Sequence, residues 1–210
     1  MNSQPKHIAV SGNIGAGKTT LAEMLSKHYG WQAEFEQVDG NPYLEDFYKD
    51  MSKWAFHLQI FFLNSRFEQI AKVRKGGETV IQDRTIYEDA YIFAKSLYEQ
   101  GYFEQRDFEN YSTLFESMMK FVEPPDLLIY LRSDISKLVK NIETRGRSYE
   151  SSIRLDYLKG LNKHYEDWIN SYKEGKLLII EVSEIDFVQK SEDFSNIVYR
   201  IDAEINSLFS

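Results

Sequence analysis

The chain has 210 residues, a formal net charge of −8 and no cysteine. That length suits one α/β domain with a sizeable core, and the acidic balance argues against a broad nucleic-acid surface. Without thiols there is no disulfide framework and no thiolate metal site. No apolar run approaches the roughly 18 residues that span a bilayer. Met1-Asn2-Ser3-Gln4-Pro5-Lys6 leads into a strand-like segment with no signal-peptide core, so a cytoplasmic protein with no membrane partner is expected.

In chain order, Ile8 to Ser11 reads as a strand and Thr19 to Tyr29 as a helix. A second strand is expected at Ala33 to Glu36, followed by helical spacing from Tyr43 to Lys75. Gly76-Gly77 breaks the chain before a third strand, Thr79 to Gln82. Helical spacing returns from Glu88 to Phe121, and Pro124-Pro125 precedes a fourth strand, Leu127 to Leu131. Helices at Ile135 to Thr144 and Leu155 to Lys173, a fifth strand at Leu177 to Glu181 and a helix from Glu192 to Leu208 complete the pattern. This alternation predicts a five-stranded parallel sheet with helices on both faces. No repeat or linker interrupts it, so residues 1–210 are expected to form one domain.

The sharpest signal is Gly12-Asn13-Ile14-Gly15-Ala16-Gly17-Lys18-Thr19, a match to G-x-x-x-x-G-K-[ST]. It falls after a strand and before a helix, where the mechanism needs it. The glycines let backbone N–H groups converge on a phosphate, and the helix N-terminus adds positive potential. Gly12 through Thr20 therefore form the expected ATP site, on a P-loop NTPase-type α/β fold of three layers. Lys18 can reach the β- and γ-phosphates, and the Thr19 hydroxyl can ligate Mg²⁺. A GTPase would need N-K-x-D, but the Asn162-Lys163 pair continues as His164-Tyr165. A small-molecule kinase is favoured over a motor ATPase.

Downstream, four stretches in order carry a resemblance to the deoxynucleoside kinase family. They are Glu36-Gln37-Val38; Trp54-Ala55-Phe56-His57-Leu58-Gln59 with Arg66; Asp83-Arg84-Thr85 with Asp89 and Tyr91-Ile92-Phe93-Ala94; and Arg145-Gly146-Arg147-Ser148-Tyr149-Glu150. The resemblance implies an ATP- and Mg²⁺-dependent transfer to the 5′-hydroxyl of a deoxynucleoside. A sugar hydroxyl is a poor nucleophile, and Glu36, at a strand end, matches the family's general base. Asp83 matches the acidic Mg²⁺ partner, and Arg84 the arginine that bridges the 5′-oxygen and the transferred phosphate. Arg145 and Arg147 match a lid, around residues 144–152, that closes over the phosphates; guanidinium forks suit phosphate oxygens.

For the acceptor pocket the resemblance implies Tyr48 and Glu150 on the 3′-hydroxyl, Gln59 on the base edge and Phe93 stacked on the base. It also implies Leu44, Phe47 and Leu58 as apolar walls, and an Arg66–Asp89 pair in which the arginine holds the aspartate ionised. Asp186-Phe187 matches a loop on the donor adenine. Family members are typically homodimers, and the compact lid and Asn41-Pro42-Tyr43-Leu44 resemble bacterial deoxyadenosine kinases. Three departures stand out: Gln37 in place of proline, Asn141 in place of an arginine that stacks on the donor base, and a bulky Phe62 in the base pocket. A nucleoside monophosphate kinase would need cations around an acceptor phosphate and has no use for Glu36. A nucleotide-binding protein without catalysis would have no reason to keep Glu36, Asp83, Arg84, Arg145 and Arg147 together.

Overall fold

The structure, a computed structural model, describes residues 6–36, 40–147, 150 and 153–208. Gln37 and Val38, and Ser148, Tyr149, Ser151 and Ser152 of the expected lid, lie outside the described residues.

Five parallel strands, β1 (His7–Gly12), β2 (Gln32–Glu34), β3 (Val80–Asp83), β4 (Leu127–Arg132) and β5 (Lys176–Glu181), form one sheet in the order β2-β3-β1-β4-β5. The central strands are buried on both faces, which is why they read as nearly unbroken apolar runs rather than as alternation. Ile8, Val10, Ile129 and Leu131 pack one face against α1 (Lys18–Tyr29), α7 (Ile135–Arg145) and α9 (Ser191–Leu208). Ala9, Leu128 and Tyr130 pack the other against α3 (Met51–Lys75), α6 (Gln105–Met119) and α8 (Leu155–Ser171). The expected three-layer fold is borne out. Among the described residues, no helix is long and apolar enough to cross a membrane.

Three expected elements need correction. The stretch Tyr43 to Lys75 is two helices, α2 (Leu44–Lys49) and α3, because Asp50 leaves helical geometry and its carboxylate caps α3 by accepting from the Lys53 N–H. The stretch Glu88 to Phe121 is broken into α4 (Ile86–Glu88), a π-helical turn (Asp89–Ala94), α5 (Lys95–Glu99) and α6, with left-handed Gly101 between the last two. The second strand ends at Glu34, so Phe35 and Glu36 run beyond the ladder.

Candidate active site

The phosphate loop leaves the carboxyl end of β1 and turns into α1. Gly15 has φ 83°, and a Cβ there would lie 2.6 Å from the Leu138 carbonyl oxygen; Gly17 has φ 94°, with the Phe187 ring 3.0 Å from where a Cβ would stand. Both positions exclude side chains on two counts, backbone strain and space. The loop is tied from both sides: Asn141 of α7 donates to the Gly15 carbonyl at 2.8 Å, and the Asn13 amide donates to the Leu158 carbonyl of α8 at 3.1 Å.

Two cavities flank it. The first, about 320 Å³, opens at the carboxyl ends of β1, β2 and β3. It gathers Ile14, Gly15, Lys18, Thr19, Glu36, Leu44, Phe47, Tyr48, Leu58, Gln59, Asp83, Arg84, Asp89, Phe93, Arg145, Arg147 and Glu150, all expected from the sequence. The second, about 350 Å³, is lined by Gly15, Ala16, Gly17, Thr20, Asn141, Arg145, Asp186 and Phe187 among others. Arg145 and Gly15 stand at both, so the two cavities meet across the loop and its facing arginine. Gly12 and the Asn13 side chain line neither: Gly12 N–H points to Glu88 Oε1 at 3.4 Å, and Asn13 is spent on α8.

Glu36 Oε1 is held between Arg66 Nη2 at 2.8 Å and Arg84 Nε at 3.0 Å. Burial alone would raise this carboxyl, but Arg84, Arg66, Lys18 and Arg147 outweigh it and bring it down to about 2. Arg84 is a non-glycine residue at φ 72°, a strained backbone found chiefly at functional positions. Its guanidinium lies 4.4 Å from the Phe93 ring centre and donates to Tyr165 Oη at 2.8 Å. Lys18 is buried with Nζ donating to the Asn13 carbonyl at 3.1 Å. Burial first, and Arg84 second, lower its ammonium to about 8, against the pull of Asp83, Glu36 and Glu88. Thr19 Oγ1 donates to Asp83 Oδ2, while the buried Asp83 Oδ1 has no hydrogen-bond partner among the described residues.

Asp89 and Phe93 sit on the π-helical turn, whose wider winding changes which side chains share a face; such turns recur at functional sites. The expected Arg66–Asp89 ion pair is present, but Arg66 also serves other groups. It lies behind the cavity wall, almost fully buried, with one nitrogen on Glu36 and another on the Asp83 carbonyl at 3.1 Å. Only its Nε approaches Asp89 Oδ2, at 3.4 Å. Burial therefore prevails over Arg66 and Arg84, and the Asp89 carboxyl rises to about 7. Gln59 is buried, and its Oε1 has no hydrogen-bond partner among the described residues, a polar group free to meet a ligand in the cavity.

In the lid, Arg145 grips Glu150 through two bonds, Nε to Oε2 at 3.0 Å and Nη2 to Oε1 at 2.6 Å. Arg147 Nη1 stands 3.6 Å from the same carboxylate. Glu150, expected on a sugar hydroxyl, is thus also the clamp that orders both lid arginines. The Asp186 carboxylate accepts from the Val188 and Gln189 N–H groups and shapes its own turn, leaving Phe187 to cover Gly17.

Sequence reasoning missed Glu88. It is fully buried, accepts from the Thr85 N–H at 2.7 Å and from Tyr165 Oη at 2.8 Å, and stands 3.7 Å from Arg84 Nη1. Thr85-x-x-Glu88 is a capping-box spacing, which was the visible signal. Tyr157 and Phe35 also line the first cavity, and neither has a local sequence signal.

A phosphate-binding loop, a carboxylate facing it across a nucleoside-sized cavity and a lid of arginines define a P-loop phosphotransferase. The chain matches the deoxynucleoside kinase family model over residues 8–206 and belongs to that family. It is 38% identical to the deoxyadenosine/deoxycytidine kinase of Bacillus subtilis (strain 168), over 95% of this chain and 93% of that one. It is 40% identical to the deoxyadenosine kinase of Dictyostelium discoideum, over 96% of this chain and 80% of that one. Among solved structures, a deoxyadenosine kinase from M. mycoides with products dCMP and dCDP superposes with a TM-score of 0.84 at 31% identity, covering 94% of this chain and 99% of that one. The protein is an ATP-dependent deoxynucleoside kinase acting on small-molecule nucleoside and nucleotide substrates.

Proposed function

We propose that the enzyme transfers the γ-phosphate of ATP to the 5′-hydroxyl of deoxyadenosine in preference to deoxyguanosine or deoxycytidine. The observation that carries the reaction is the Glu36 carboxylate lining one cavity with Lys18, Thr19 and Arg84. The acceptor's sugar lies over Glu36, Tyr48 and Glu150, and its base between Phe93, Gln59, Leu58 and Phe62, against Leu44, Phe47 and Asp89. ATP lies along Gly12 to Thr20, with Gly15, Ala16 and Gly17 at the turn and its base toward Asp186 and Phe187. Glu36 orients the 5′-hydroxyl and takes its proton. Lys18, Arg84, Arg145 and Arg147 face the negative charge on the transferring group.

Thr19 and Asp83 fit a Mg²⁺ that keeps phosphate oxygens and water as its other ligands, and the unpaired Asp83 Oδ1 supports that reading. The ion would supply charge neutralisation on the β- and γ-phosphates. The account also takes residues 1–210 as one domain with a lid around 144–152, working in the cytoplasm, where ATP and free deoxynucleosides meet. A homodimer is part of it, supported by Tyr91, Leu114 and Phe121, apolar groups left exposed on the π-helical turn, on α6 and just beyond α6.

The Gln59 amide oxygen, without a partner among the described residues, can accept from the exocyclic amine of adenine, cytosine or guanine, which disfavours thymine; among the three, the relatives' names favour deoxyadenosine. The test is ATP and Mg²⁺ with the four deoxynucleosides side by side. Deoxyadenosine should give the highest kcat/KM and thymidine the lowest; a preference for thymidine would contradict the pocket assignment.

Asp89 supplies a pH test. Its ionised form is the acceptor for an exocyclic amine, and that form is lost as pH falls through about 7. The kcat/KM for deoxyadenosine should therefore rise between pH 6 and 8, and Asp89→Asn should flatten the rise. Replacing Arg66 with Met and Asp89 with Ala together should shift preference toward thymidine, roughly 10- to 100-fold, since the unpaired polar group that thymine would face is gone. An unchanged pH profile in Asp89→Asn would place base selection elsewhere, at Phe62 first.

A further inference from the structure

Beneath the cavity, three buried polar side chains make a continuous hydrogen-bonded line. The Gln69 amide donates to the Phe35 carbonyl at 2.8 Å, the Gln82 amide donates to Gln69 Oε1 at 3.0 Å, and Gln82 Oε1 lies 2.9 Å from His7 Nε2. A carbonyl can only accept, so Gln69 must turn its NH₂ toward Phe35 and its oxygen toward Gln82. Gln82 must then offer its NH₂ to Gln69 and its oxygen to His7, whose Nε2 carries the proton. One backbone carbonyl sets the sense of every amide in the line.

The line ends where the base begins. Pairing of β2 with β3 stops at Glu34 and Gln82, and β2 is a three-residue strand at the sheet edge. Glu36 lies two residues beyond that last pair, with its carboxylate drawn toward Arg66 at 2.8 Å and Arg84 at 3.0 Å. Gln69 catches the main chain at the residue between. Arg66 and Gln69 stand three apart on α3, so one turn of that helix holds both the Glu36 carboxylate and the backbone that presents it.

We propose that Gln69 is a positioning residue for phosphoryl transfer: its amide, oriented by Gln82 and His7, fixes the main chain at Phe35 so that the Glu36 carboxylate meets the acceptor hydroxyl. The proposal rests on Glu36 as the base. Displacement of a reacting group by about 1 Å can cost up to ~10²-fold, so an effect of this size needs no contact between Gln69 and substrate.

The test is a double-mutant cycle in single-turnover transfer, with ATP and the best acceptor of the four deoxynucleosides. Gln69→Met keeps the side chain's bulk and removes the donor. It should slow transfer roughly tenfold while leaving the KM for ATP unchanged, and should cause no further loss when Glu36 is already Gln. Gln82→Glu accepts at both ends and turns the Gln69 oxygen toward Phe35; it should give the same loss, and it carries the test if Gln69→Met does not fold. Additive losses across the cycle, or wild-type transfer rates in the Gln69 and Gln82 variants, would overturn the proposal. A wild-type rate in Glu36→Gln alone would remove the base assignment and this proposal with it.

Discussion

Glu36→Gln is expected to lower kcat by roughly 10²-fold or more while nucleoside and ATP affinities stay near wild type. That loss corresponds to ~2.7 kcal/mol of transition-state stabilisation. The amide is isosteric and can still accept from Arg66 and Arg84, so the local fold should survive. What disappears is the proton acceptor and one negative charge among Arg66, Arg84 and Lys18. The carboxyl sits at about 2, because the surrounding cations outweigh its burial. A base that weak takes the proton late, as the bond to phosphorus forms, which suits a loose transition state. The sign of the pH effect follows. The basic form exists above the depressed value and is lost only as pH falls through about 2, so Glu36 contributes no inflection to kcat between pH 5 and 8. Wild-type turnover in the mutant, measured beside unchanged dissociation constants, would remove Glu36 from the chemistry.

Lys18→Ala is expected to bring ATP-dependent transfer below a tenth of wild type, to the background of the assay. In a chain of net charge −8, polyphosphate is held by a few converging cations, and Lys18 is the one that rises from the loop itself. The melting temperature should hold. Burial lowers the Lys18 ammonium to about 8, so the fold carries this charge at a cost and removing it relieves desolvation. Lost activity with an unchanged melting temperature separates a phosphate-binding role from a structural one. Activity above a tenth of wild type would contradict the phosphate-loop reading.

The fold was legible in the sequence because it rests on period and punctuation. Buried parallel strands are apolar runs, and Gly76-Gly77 and Pro124-Pro125 marked two crossings where helices give way to strands. The phosphate loop was legible for a different reason: at Gly12 and Gly17, the two fixed glycines of its motif, positive φ and close neighbours leave little room for a side chain. Joins between helices were not. Asp50 ends one helix and caps the next without a glycine or proline, and the π-helical turn at Asp89–Ala94 has the same local composition as an α-helix.

Partnerships across the site were also hidden. The resemblance implied that Arg66 serves Asp89, which its Nε approaches at 3.4 Å, but nothing in the sequence signalled that its other nitrogens are committed to Glu36 and to the Asp83 carbonyl. Asn141 gave only the absence of an arginine, yet it anchors Gly15. Such contacts join residues 17 to 126 positions apart, and no local pattern encodes them.

The central claim is that the acceptor is a nucleoside hydroxyl rather than a nucleotide phosphate. It is tested most directly by incubating the enzyme with Mg²⁺ and γ-labelled ATP, with deoxyadenosine in one arm and its 5′-monophosphate in the other. Product structure would be read by phosphorus NMR. The account predicts label on deoxyadenosine at the 5′-oxygen, coupled to the 5′ protons, and no diphosphate from the monophosphate arm. Transfer to the monophosphate, or phosphate at the 3′-oxygen, would contradict it.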